Sequence, residues 1–221
     1  DLNKESLIDL LKNRSLLKQN VYDQTYKSFC IFRNVIEKKL ASFREAIPDE
    51  RVRLQYDSNG DFESHAYLGS DVIVFSMHTN VFSFPKENAV WKSSYIEKDK
   101  TKAYCGVINI YNFLADSFLQ NRFNDAGYLI GRIYINKENH FMVEGKGQLG
   151  FLFRDLMNST FDESVMEKVL DCAVQYAVEF DLLTPPYEKV NVVNVMHVKA
   201  QSTAQQLKTG KRLGFRFESE Q

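Results

Sequence analysis

Polar residues sit inside three otherwise apolar runs, and these are where chemistry could reside. His78 and Asn80 share strand parity with Ser76, Val74 and Val72, provided the strand runs on past Met77. Asn109 shares parity with Cys105, Val107 and Tyr111. Arg132 interrupts the run Tyr128 to Ile135. Simple alternation there puts Leu129, Ile133 and Ile135 on one face, and Tyr128, Arg132 and Tyr134 on the other. A sheet face carrying Arg132, Tyr134, Asn109, Tyr111 and His78 suits a small polar or anionic ligand, because a guanidinium fork matches two oxygens at once. The competing reading is a solvent-facing side of an antiparallel sheet, where Arg, Tyr and Asn are routine. Arg132 decides between them. If it is covered, it needs an acidic partner or a ligand, since an unpaired buried charge is costly.

Other chemistries find less support. The sequence has no G-x-x-x-x-G-K-[ST] loop and no G-x-G-x-x-G after a strand. The Gly145, Gly147 and Gly150 spacing fits neither. There is no G-x-S-x-G elbow and no H-E-x-x-H. The histidines His65, His78, His140 and His197 stand in no metal-ligand spacing, so neither cofactor nor metal is expected. Cys30, Cys105 and Cys172 are odd in number, widely separated and set among apolar residues. They read as small buried hydrophobes in a reducing, cytoplasmic setting. An enzyme reading would rest on His78 or His140 with a nearby carboxylate as acid and base.

Charge excludes little. The 221 residues sum to a net charge of −1, with a basic start (net +3 over residues 1–47), an acidic body (−7 over 48–198) and a basic end (+3 over 199–221). Lys208, Lys211, Arg212 and Arg216 interleave with Phe215 and Phe217, as in single-strand binders. Four charges on an acidic-bodied protein are thin support, so nucleic acid is not expected as a partner. No run of 18 apolar residues is present, and no membrane partner is expected.

The elements that must position these residues follow from periodicity. Residues 5–19 and 21–46 predict two helices. In the second, Tyr22, Tyr26, Phe29, Arg33, Ile36, Leu40 and Phe43 form a heptad-like seam. That seam either packs on the protein's own sheet or pairs with a second copy as a homodimer. After Pro48, alternation around Asp57-Ser58-Asn59-Gly60-Asp61 predicts a hairpin. Strands follow at 71–78 and 103–113, with a polar surface loop expected over 86–102. Leu114 to Phe123 suggests a short helix. A second hairpin joins 128–135 to 140–144, and Leu149 to Phe153 adds a strand or leads into a helix. Thr160 with Glu163 reads as a capping box for a helix over 161–181. The β-branched run Val190 to Val198 predicts a core strand, and residues 210–217 an edge strand.

Strands outnumber helices and are joined mostly by short turns. The expected fold is therefore α+β: a single antiparallel sheet of about six to eight strands with helices packed on it, after an N-terminal helical segment. The segment spans 1–47 and the sheet domain 48–221. The element order is loosely similar to small-molecule sensor domains of the PAS and GAF type, an analogy that carries no function. The expected function is a non-catalytic module that binds a small anionic ligand or another protein. A motif-free enzyme and a nucleic-acid-associated factor are the alternatives.

Overall fold

Nothing between Lys4 and Ala46 breaks a helix, since neither Gly nor Pro occurs there. The two helices expected are accordingly one, α1 (Lys4–Ala46), 43 residues long. Asn3 caps it by accepting from the Glu5 N–H at 3.4 Å. Pro48 favours extended backbone in Ile47, which ends the helix. The computed structural model describes residues 3–181, 184, 186–196, 198 and 199.

The chain continues with β1 (Leu54–Ser58), β2 (Glu63–Leu68) and β3 (Asp71–Ser83). The stretch expected as a loop over 86–102 is instead built from two 3₁₀ turns, Ala89–Lys92 and Lys100–Ala103, around α2 (Ser94–Lys98). The side chains of Asn88, Ser93 and Asp99 cap these turns in succession, and Ile96 is buried beneath them. Polar residues rich in capping capacity were the reason for the short helices, not for a loop. Then come β4 (Tyr104–Leu114), α3 (Ala115–Leu119), β5 (Tyr128–Asn136), β6 (Phe141–Gly145), α4 (Gly147–Leu152), α5 (Glu163–Glu179) and α6 (Tyr187–Val190). The cap of α5 is Asp162, which accepts from the Val165 N–H at 3.0 Å, not Thr160. Among the described residues of the β-branched run after 190 there is no strand; Val192, Val193, Val195 and Met196 are exposed. The tail residues Lys208, Lys211, Arg212 and Arg216, with the strand expected over 210–217, lie outside the described residues, as does His197.

The six strands form one antiparallel sheet in plain sequence order, β1 to β6. The fold is α+β. Its main core lies between one sheet face and the pair α1 and α5. Ile73, Phe75, Met77, Ile108, Ile110, Ile133, Ile135, Phe141 and Val143 come from the sheet. Phe29, Phe32, Val35, Ile36 and Leu40 come from α1, and Met166, Val169, Leu170, Ala173 and Ala177 from α5. The aromatic seam therefore packs within the chain. Phe29, Ile36 and Leu40 are fully covered, Tyr22, Tyr26 and Phe43 lean on the same core, and Arg33 reaches the Asp61 carbonyl at 3.1 Å.

The helix lies close on β4 because the residues between them are small. Thr25 and Ser28 are buried on α1, and Gly106 lies under Thr25. A Cβ at Gly106 would collide with the Thr25 side chain, whereas one at Gly131 would meet its nearest neighbours at 3.4 Å. Gly106→Ala should thus cost roughly 1–3 kcal/mol as overpacking. Gly131→Ala should cost clearly less, and urea denaturation of the two variants side by side checks the difference.

Candidate functional site

The sheet face turned away from α1 and α5 is covered at two places. At one, Tyr67, Val72, Val74 and Ala115 pack with Phe118 of α3. At the other, Ile96, Ala103, Cys105 and Leu156 pack with Trp91 and Tyr95. Between these covers the floor stays open and forms a cavity of about 430 Å³. His78, Asn109, Tyr111, Arg132 and Tyr134, the five residues singled out by parity, all line it.

Strand register explains the convergence. His78 lies opposite Val107, Asn109 opposite Arg132, and Val107 opposite Tyr134. The parity assigned to the start of β5 needs correction, however. The β4–β5 register shifts at Ile110/Tyr111, so that Tyr111 pairs with Leu129. A bulge reverses alternation on its far side. Leu129 therefore joins Arg132 in the cavity, and Tyr128 turns to the helix face, where its ring stands 5.6 Å from that of Phe180, the residue that follows α5.

A wall completes the site. The β3–β4 register also shifts between His78 and Phe82, and the end of β3, Phe82-Ser83, with Phe84 and Pro85 just after it, lines the cavity. Phe84 is held from both sides. Its ring lies 5.0 Å from that of Tyr134, and its carbonyl accepts from the Trp91 indole N–H at 3.2 Å. Phe82 packs edge-on against His78 at 4.9 Å.

The polar groups are arranged unevenly. Arg132 is half-buried and pairs with Glu144 of β6 at 2.9 Å. The Tyr134 hydroxyl donates to the same carboxylate oxygen, also at 2.9 Å. Burial, with the bond to Glu144 second, pushes the Tyr134 phenol up to about 12. The His78 Nδ1 accepts from the Asn80 N–H at 3.0 Å, which leaves Nε2–H as the donor of the neutral ring. The Asn109 side chain lines the cavity, half-buried. The cavity thus offers donors from Arg132, His78 and Asn109 over an apolar and aromatic lining.

The other histidines sit differently. The His140 Nδ1 faces the Leu156 carbonyl at 2.9 Å, and its ring stacks on Tyr95 at 4.7 Å. His65 pairs with Glu63 at 2.6 Å, but it is buried against Phe118 and does not line the cavity. Cys105 is buried at the cavity floor, and burial pushes its thiol up; Cys30 and Cys172 are half-buried rather than buried as expected. Among the described residues no cluster of three or more His, Cys, Asp or Glu side chains could hold a metal ion. No helix there is long and apolar enough to cross a membrane.

Parity reasoning missed Glu144, Phe82, Phe84 and Leu129. Glu144 was readable, because the second hairpin sets it directly opposite Arg132. The others depend on bulges, which alternation alone does not reveal. Fold and site together define an α+β protein with an open, aromatic-lined pocket on one sheet face. No family model, curated protein or solved structure matches the chain.

Tyr134 gives this geometry a pH signature. Its folded-state value lies above the unfolded value of 10, so its contribution to stability is complete below pH 10 and is lost as the pH rises towards about 12. Tyr134→Phe should flatten the fall in denaturation midpoint between pH 10 and 12, measured against the parent protein.

Proposed function

We propose that the protein is a non-catalytic ligand-binding module whose cavity takes a small anionic molecule. The observation that carries this reading is the convergence of His78, Asn109, Tyr111, Arg132 and Tyr134 on one cavity of about 430 Å³, within the size range of small-molecule sites. Catalysis has weaker support: the Nδ1 atoms of His78 and His140 meet backbone groups, not carboxylates. The three free cysteines fit a reducing compartment such as the cytoplasm.

Leu129 is 42% exposed at the cavity, so a larger side chain there can fill the site without disturbing the core. Native mass spectrometry should find a small molecule retained by the purified protein, or taken up from a mixture of organic acids. Leu129→Trp should abolish it with an unchanged melting temperature. Equal uptake by both proteins would place any ligand elsewhere.

Self-association is a second reading, favoured by one observation. The core-facing stripe of α1 runs on past the sheet as Leu7, Leu10 and Leu11, which are 46%, 53% and 69% exposed. A second copy would use this stretch, because the seam over 21–46 is already covered by the sheet. Sedimentation should show mass rising with concentration, and the rise should vanish in the Leu10→Ser/Leu11→Ser variant.

A further inference from the structure

The cavity's one guanidinium is already engaged. Arg132 and Tyr134 both direct hydrogen bonds to the same oxygen of Glu144. Glu144 does not itself line the cavity, so an entering anion meets a guanidinium whose Nη2 is held from the margin by a carboxylate. It competes with Glu144 for that guanidinium, and the Glu144 side chain is 57% exposed on β6. The pair that Arg132 and Glu144 form is half-exposed, and such pairs contribute little net free energy.

It follows that charge alone cannot supply affinity here. Acetate or inorganic phosphate gains from Arg132 only a half-exposed ion pair contested by Glu144. A dianion also brings excess negative charge close to Glu144, with no lysine lining the cavity to offset it. Affinity has to come from the body of the guest. Phe82, Phe84, Tyr111 and Tyr134 surround the floor, and Val107 and Leu129 complete it. A pleated floor facing an aromatic wall suits a flat ring better than a flexible chain, because ring stacking adds to area burial.

We infer that the cavity selects aromatic monocarboxylates, and that Glu144 is its specificity-determining residue, a carboxylate at the cavity's margin that competes with the guest for Arg132. This rests on the ligand-binding reading above and narrows it. The carboxylate of the guest takes the guanidinium fork, the ring lies against Phe82 and Phe84, and Asn109 is left to hydrogen-bond a ring substituent.

The test uses the full chain with 2-naphthoate, its neutral counterpart 2-naphthamide, acetate and inorganic phosphate. Binding is followed through the side-chain amide signal of Asn109 and the Nε–H signal of Arg132. Naphthoate should shift both signals, and acetate and phosphate neither. Glu144→Gln should tighten naphthoate about threefold to fivefold, the worth of a half-exposed ion pair, and leave naphthamide unchanged. Arg132→Gln should erase the preference for naphthoate over naphthamide. If Arg132→Gln weakens naphthoate but Glu144→Gln leaves it unchanged or weaker, the competition is wrong and the ligand site survives. Equal or tighter binding of phosphate would also overturn the selectivity and leave the site intact. If neither aromatic probe moves the Asn109 signal, both readings fall.

Discussion

Burial of one sheet face beneath α1 and α5 is the constraint on which the rest of the structure depends. A strand sends alternate side chains to opposite faces, so covering one set dictates the place of the other. Once Ile73, Phe75 and Met77 are under the helices, Val72, Val74, Ser76 and His78 have to face away. Once Ile108 and Ile110 are under them, Cys105, Val107, Asn109 and Tyr111 face away as well. The close seating of α1 on β4, at Thr25 over Gly106, keeps this arrangement from slipping. A one-residue shift would bring a side chain under Thr25 and turn Asn109 into the core. The cavity is thus a consequence of helix packing on the opposite side of the sheet.

The covers on the open face are short, and that accounts for the gap. α3 has five residues and α2 has five, each flanked by turns, and neither can reach across the middle of the sheet. A long helix on this face would have hidden the Asn109 amide from water, and an amide left unsatisfied there costs about 1–3 kcal/mol. Polar residues on the floor and the absence of a covering helix are mutually consistent. Arg132 fits the same logic. Its stem lies along the floor beside Tyr134, and its charged end meets Glu144 at the wet margin, where neither charge bears full desolvation.

Much of this was legible in the sequence, for physical reasons that can be named. The meander followed from strong turn signals at Asp57 to Asp61 and Asn136 to Asn139, and the convergence of the five polar residues followed from period-two alternation. Legibility ended where local chemistry departs from a simple period. The bulge beside Ile110 moved Leu129 across the sheet, and the irregularity between His78 and Phe82, inside a strand that runs on to Ser83, set a wall that alternation does not reveal. The Val190 to Val198 run shows a different limit. β-branched composition favours a strand only when a neighbour and a core are available. The edge of β6 is already occupied, because the Phe141 and Val143 N–H groups donate to the carbonyls of Ser159 and Phe153.

The two faces also divide the labour of the fold. Large apolar residues concentrate under the helices, so stability resides there, and the open face can vary its polar groups at little cost to folding. Asn109 and Arg132 are only half-buried, and Glu144 is exposed. Substitutions at these positions should therefore report on binding rather than on collapse of the fold. Tyr134 is the exception, because its ring supports Phe84 while its hydroxyl holds Glu144. It joins the wall of the cavity to its charged margin. Glu144 is thus the shared acceptor of Arg132 and Tyr134, and the Tyr134 ring stays packed on Phe84 whichever acceptor its hydroxyl meets.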